Sequence, residues 1–425
     1  MMRKRILRTP AALAAGIIAL LCASILGYGA VYSAGILVLE LGTALLFAVY
    51  LFSPAFHKRT SSVFDGEPKP KTSSAFLLLT GLVIALQLLT RRTAYFYATY
   101  QEALLWTSYL LLYFLAGSIF RHERCAAVAV RIFAVFGPAL ALFALIQHAV
   151  PNGKIYWLHL PGQGADYIFG PYVNRNHYAG IIELLAPFSA VLALESRLTA
   201  ARRGSHIAGT GLMYASVLIS GSRAGILCCI AQLIAFAVIT RSHERAVTRV
   251  RALLAISLLI AVGFTLWPNP AQVVSRFSPL QLSDEFTTGR VAMFRDALGM
   301  TAVHVWLGFG LHTFADVYPA FRSFPTNLFV NELHNDVLQL FVELGLIGGA
   351  AFCCFLLFTF RAALQLLPQH ARVHIRLLRT ASFLGVAGLT LHSFFDFHLH
   401  IPANAACFFV LAACATVQKS PYQSG

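Results

Sequence analysis

Charge is what this sequence lacks. Only 12% of its 425 residues are Asp, Glu, Lys or Arg, while 58% are hydrophobic. A soluble domain carries roughly 25% charged residues, so a water-soluble globular domain is excluded. Acidic residues are scarcer than basic ones, 17 against 32, which leaves a formal charge of +15. Such a charge would suit nucleic acid if it formed one patch. Instead it is spread over short connections between apolar runs, such as "RHER", "SRLTAARRGSH" and "RSHERAVTRVR". With the N-terminus inside, most Lys and Arg fall on the inner side, which is the positive-inside bias of a membrane protein. Membrane lipids, not nucleic acid, are the implied surroundings. A disulfide framework is missing too. The chain has 8 cysteines, none of them in an outer loop and none in a CxxC pair. There is no P-loop, and the "GFG" at Gly308–Gly310 is too short to hold a nucleotide.

Long apolar runs are present in abundance. A spanning helix needs about 20 apolar residues, and about twelve runs qualify. They start near Ala11, Ala30, Ser74, Ala103, Ala126, His177, Ile207, Arg223, Val250, Asp336, Leu378 and Ile401. The reading is an all-α integral membrane protein, a single polytopic unit over 1–425, with the first helix retained and not cleaved as a signal peptide. The runs near Ile207 and Arg223 nearly abut and suit a hairpin. "HKRTSSVFDGEPKPKTSS" has the composition of a linker, and "RRTAYFYATYQE" that of an interfacial aromatic belt. Two outer loops stand out, 151–176 and the longer 268–335. The second is too apolar and aromatic for disorder. It has a helix start signal at Thr287 or Thr288 and apolar residues at Val291, Phe294, Leu298 and Val303, which predicts an amphipathic helix on the outer surface. "HTFADVYPAF" predicts a short second one.

Ionisable groups beside spans are costly and mark function. Here they gather at outer positions: "NRNHYAG" (174–180), "GSRAG" (221–225), "TTGR" (287–290), "ELHND" (332–336) and "HSFFDFHLHIPANA" (392–405). Chance would scatter them over both faces. Arg175 suits headgroup snorkelling as well as a shared site. Arg223, flanked by small residues, is poorly placed to reach water. Arg290 follows a glycine near a helix start, where the dipole disfavours a cation and an anion should compensate. His334 is the best-placed outer base, and His177 the runner-up. Asn335, Gln339 and Glu343 recur every four residues and share one helix face. A buried Glu343 is expected to be protonated or paired with an arginine. His392, Asp396, His398 and His400 include zinc-ligand types, but their spacing matches no zinc signature; caps and hydrogen bonds around the turn are the preferred reading.

Outward arginines suit pyrophosphate, because a guanidinium forks onto phosphate oxygens and stays charged. A histidine can take a proton from a hydroxyl. Together they describe group transfer from a lipid-anchored phosphate donor to an alcohol. From about Gly170 to Asn404 (170–404), "NRNHYAG", "GSRAG", "TTGR…WLGFGLHTF", "ELHNDVLQLFVELGLIG" and "HSFFDFHLHIPANA" resemble, in order, the bacterial O-antigen ligase and polymerase superfamily. The resemblance implies about twelve helices with a large periplasmic loop, in a multi-pass protein of the bacterial inner membrane with its active site facing the periplasm. It implies an undecaprenyl-pyrophosphate-linked glycan donor and metal-independent, inverting transfer without a cofactor. It places essential arginines at Arg223 and Arg290 and an essential histidine at His334, with Arg175, His177, Asn335, Glu343 and Asp396 as further candidates. Ligases use a lipid A–core acceptor, which is the first expectation; polymerases use a second repeat unit, and related enzymes use protein hydroxyls. A secondary transporter is the competing class, but it should show two matching halves with polar residues near the midplane, and neither feature is visible here.

Overall fold

The computed structural model describes residues 2–53, 72–160, 168–240, 285–325, 329–369 and 371–418. Its regular elements are helical, in the order α1 (Met2–Leu26), α2 (Ser33–Leu51), α3 (Thr72–Leu89), α4 (Phe96–Ile119), α5 (Glu123–Ala149), α6 (Arg175–Leu194), α7 (Ala200–Ser220), α8 (Arg223–Thr240), α9 (Glu285–Val303), α10 (Phe314–Val317), α11 (Asp336–Leu366), α12 (Val373–His392) and α13 (Pro402–Ala415). Among the described residues, seven helices (α2 to α6, α8 and α11) are long and apolar enough to cross a membrane. The protein is therefore a helical membrane protein. The expected count of twelve spans is not established: the run near Val250 lies outside the described residues, as do the linker and the first part of the 268–335 loop, and the runs in α1, α7, α12 and α13 form helices that fall short of that measure.

Burial sorts the helices. α6 is buried along nearly its whole length and sits at the centre of the bundle. α2 leaves Leu37, Leu41 and Leu45 exposed, and α8 leaves Leu227 and Ile234 exposed. Apolar side chains on an outer face suit lipid, where burial against protein is unnecessary. The hairpin of α7 and α8 follows from "GSRAG". Gly221 takes the left-handed conformation (φ 69°) that closes α7, and the Ser222 hydroxyl accepts from the Gly225 N–H at 3.2 Å to start α8.

α11 is broken. Gly345 adopts φ 65° and ψ −170°, a region that essentially only glycine enters. The break frees backbone groups that lipid could not satisfy. The segment before it, "WLGFG", takes them up. Phe309 and Gly310 donate to the carbonyls of Val342 and Glu343, and Leu346 and Ile347 donate to those of Val305 and Trp306. Gln87 on α3 adds donations to the carbonyls of Leu307 and Glu343. The approach is close enough that a Cβ on Gly345 would meet the Trp306 carbonyl at 2.4 Å. We expect Gly345→Ala to cost about 1–3 kcal/mol from backbone conformation alone, with more from the clash. A clear fall in the thermal midpoint of the purified protein in detergent should report it; an unchanged midpoint would contradict the break.

α9 begins at Glu285, two residues before the expected start at Thr287. It is anchored by a small core of its own, in which Met293, Ala297 and Met300 pack with Phe309, Phe314 and Tyr318. Buried Asp296 accepts from the Tyr318 hydroxyl and the Ser323 N–H, both at 3.0 Å. The expected apolar face needs correction. Val291, Leu298 and Val303 are exposed and Phe294 is partly buried; the methionines make the protein contact. "HTFADVYPAF" forms α10 and a following 3-10 turn, Tyr318–Ala320.

Candidate active site

The first turns of α6 and α11 meet the 393–401 turn at one end of the bundle. Asn174 caps α6 by accepting from the Asn176 N–H at 2.8 Å. Asn335 caps α11, accepting from the Leu338 N–H at 3.0 Å. His334, just before that cap, holds a left-handed backbone (φ 57°), an uncommon state for a residue with a Cβ and one worth a functional question.

Its ring explains the placement. His334 Nδ1 lies 2.9 Å from Asp396 Oδ1, and Arg290 Nη2 lies 3.4 Å from the same nitrogen. One nitrogen cannot donate to the first and accept from the second. The shorter contact to a carboxylate decides the tautomer, with Nδ1–H donating to Asp396 and the lone pair on Nε2. The side chain is 23% exposed and Asp396 only 1%. Asp396 also accepts from the Asn176 amide and from the Phe397 N–H at 2.9 Å. Burial alone would raise its pKa, yet the His334 hydrogen bond and nearby imidazoles hold it well below the usual carboxylate range. Arg290 donates to the Phe395 carbonyl at 3.2 Å. Burial pulls its guanidinium below its ordinary value, and Asp396 opposes that shift. Asp396 is thus the anion that an arginine near a helix start required.

A second layer fixes the turn. Asp336 is fully buried. Its carboxylate accepts from the backbone N–H of His398 and Leu399, at 2.9 and 3.0 Å, and lies 2.9 Å from His400 Nδ1. Gln339 donates to Glu343 at 3.0 Å and to Glu332. Glu343 accepts from the His312 N–H at 2.8 Å and the Phe314 N–H at 3.4 Å. Of the two expected states of Glu343, the arginine pair is replaced by backbone amides and a glutamine, which leaves the protonated one open, and Glu343 is an anchor, not part of the open site. Asn335 is a cap. The four ionisable residues of the 392–400 stretch do not converge on one point: Asp396 serves His334, His400 serves Asp336, and His392 pairs with Glu183 at 2.8 Å.

The other candidates are placed around this network. His177 is buried, with its ring edge-on to Phe397 at 4.6 Å, and it is less open than His334. Arg175 is half-buried at the first position of α6. Arg223, expected to be cut off from water, is exposed at the first position of α8, and none of the contacts just named reaches it. An apolar cavity of about 500 Å³ opens beside Asn335, walled by Leu298, Val305, Leu338, Phe341 and Phe394.

Residues 208–353 match the family model described as O-antigen ligase. That segment is similar to the O-antigen ligase and polymerase superfamily. It spans about a third of the chain and contains Arg223, Arg290, His334 and Glu343. No curated protein matches the chain. The O-antigen ligase segment brings with it glycosyl transfer of the ligase or polymerase type, with a lipid-linked glycan and a glycan acceptor as its general substrates. Asp396 and Asn176, which set the ring of His334, lie outside the segment. Sequence reasoning passed over Asn176, Asp336 and Glu183. The signal for Glu183 was present, a carboxylate inside the apolar run "AGIIELLAP", the same signal that drew attention to Glu343.

Proposed function

We propose that this protein transfers a glycan from an undecaprenyl-pyrophosphate donor to an acceptor hydroxyl at the periplasmic face of the bacterial inner membrane, with a lipid A–core sugar as the acceptor. The observation that carries the reading is the Asp396–His334 pair with Arg290 against it at the rim of the bundle. His334 Nε2 removes the acceptor proton as its oxygen attacks the anomeric carbon. The bond from that carbon to the pyrophosphate oxygen breaks, and configuration inverts. Asp396 stabilises the imidazolium that forms, and the proton passes to solvent or to the departing diphosphate. Arg290 and Arg223 neutralise the leaving pyrophosphate. The leaving group is already a good anion, so this chemistry needs neither nucleotide nor metal. The apolar cavity beside Asn335 suits the first isoprene units of the donor's chain.

The test is transfer by purified protein in detergent, with lipid-pyrophosphate glycan, no nucleotide and no added metal. Formation of a slower-migrating acceptor product is expected; donor movement without transfer would favour a transporter. Sidedness has its own check. A reporter active only in the periplasm should be active when fused after Pro279 and silent after Gly204, and the reverse pattern would place the site on the wrong face. A glycan repeat unit as the preferred acceptor would make the enzyme a polymerase, and a protein hydroxyl would make it a protein O-oligosaccharyltransferase.

A further inference from the structure

Below the site, α6, α8 and α12 meet at a junction that is polar where an apolar one would be cheaper. Glu183 on α6 and His392 at the end of α12 face each other at 2.8 Å, both fully buried. Cys228 on α8 completes the group. A carboxylate oxygen of Glu183, a ring nitrogen of His392 and the Cys228 Sγ lie within 4.8 Å of one another. The hydrogen bonding does not close. Among the described residues, Glu183 Oε2 and His392 Nε2 are buried without a partner, as are both ring nitrogens of His398, whose ring centroid is 4.0 Å from that of His392. Each such atom costs about 1–3 kcal/mol, and orphans of this kind point to a bound water or ion. One turn along α8, Gln232 donates to the carbonyls of Glu183 and Leu384, at 2.8 and 3.0 Å. Cys228 and Gln232 are four residues apart and share a helix face, so the thiol and the amide serve the same three-helix seam.

We propose that Glu183, Cys228 and His392 bind a zinc ion that ties α6, α8 and α12 together beneath the transfer site. Thiolate, imidazole and carboxylate are all zinc ligands. One carboxylate and one thiolate neutralise the dication, so the loaded site carries no net charge, as a low-dielectric interior demands. On binding, the thiol proton leaves to solvent and His392 coordinates as the neutral ring. At zinc bond lengths of about 2.0–2.3 Å the edges of a tetrahedron are roughly 3.3–3.7 Å, so the three donor atoms need only small adjustments. With three protein ligands, the fourth position takes a water or the neighbouring His398. The role is structural. α8 opens with Arg223 and α12 runs straight into the turn of Asp396, so the ion sets the spacing of elements that carry the site. The proposal does not depend on the transfer reaction, and none of its ligands takes part in it.

The experiment is metal analysis of the full chain, purified in detergent without chelator from zinc-supplied cells. About one zinc per chain is expected. Cys228→Ser and His392→Gln should lose it, and Cys229→Ser, which alters the adjacent thiol, should keep it. Replacement by cobalt should give a thiolate-to-cobalt charge-transfer band in the wild type and in Cys229→Ser but not in Cys228→Ser. Size-exclusion profiles show which variants fold; if Cys228→Ser does not, the wild-type zinc content and cobalt band still decide. A wild-type protein that carries no zinc and takes none up on titration, or a cobalt band that persists in folded Cys228→Ser, would overturn the proposal and leave Glu183 and His392 as a plain hydrogen-bonded pair.

Discussion

His334→Ala should lose glycan transfer by about 10²–10⁴-fold, the usual worth of a general base, while still binding the labelled lipid-linked donor. An alcohol is a poor nucleophile at neutral pH, and His334 combines partial exposure with a carboxylate at 2.9 Å from its Nδ1; His374, which pairs with Glu123 in the same way, sits at the other end of α12, away from the 393–401 turn. Asp396→Asn should show a smaller loss, because an amide can still accept from Nδ1 but cannot stabilise an imidazolium by charge. Normal transfer by His334→Ala, combined with its loss in His177→Ala, would move the base to His177. The geometry argues against that outcome. His177 is buried behind Phe397, and its carbonyl is held by Asn404 at 2.9 Å, so it supports the turn and does not face an acceptor.

Arg290→Ala should abolish transfer and weaken donor binding together, a pattern opposite to that of His334. The guanidinium faces a carboxylate, an imidazole and a backbone carbonyl, and its loss removes charge from the place where the leaving pyrophosphate gathers it. Arg290→Lys should recover only part of the activity, because a point charge cannot fork onto two oxygens. Arg223→Ala is expected to follow the same pattern. Its exposed position at the start of α8 leaves it open to a bulky lipid-linked donor. Full transfer by both alanine variants, with membrane insertion intact, would rule out a pyrophosphate role.

Much of this was legible in the sequence because membrane helices announce themselves by length, and because polar residues beside spans are too costly to be casual. Arg290, His334 and Asp396 were each singled out that way. Their pairing was not legible. His334 and Asp396 are 62 residues apart, and only the folded turn brings them to 2.9 Å. The partners of Glu343 were not legible for a related reason. A buried carboxylate demands partners, but sequence cannot say that backbone N–H groups of a distant loop, at His312 and Phe314, will supply them. The protein-facing side of α9, formed by its methionines, was not legible, because exposed valines and leucines are no error in a protein that meets lipid. Asp336 was given no role because it stands in "ELHND" beside a more conspicuous histidine.

The break at Gly345 also bears on how the enzyme sits in its lipid. A continuous α11 would be one stiff rod from the first turn beside His334 to Leu366. Bilayers differ in thickness, and a spanning helix answers the mismatch by tilting. In a rod, that tilt would swing the site. Here the lower segment, from Leu346 onward, meets the upper one through a glycine and a strip of loop that is itself bonded to α3. The first turns are fastened by Asp336 to the backbone of His398 and Leu399, a tie that the lower segment does not share. The break thus divides the stretch that carries the site from the stretch that answers to the membrane's thickness.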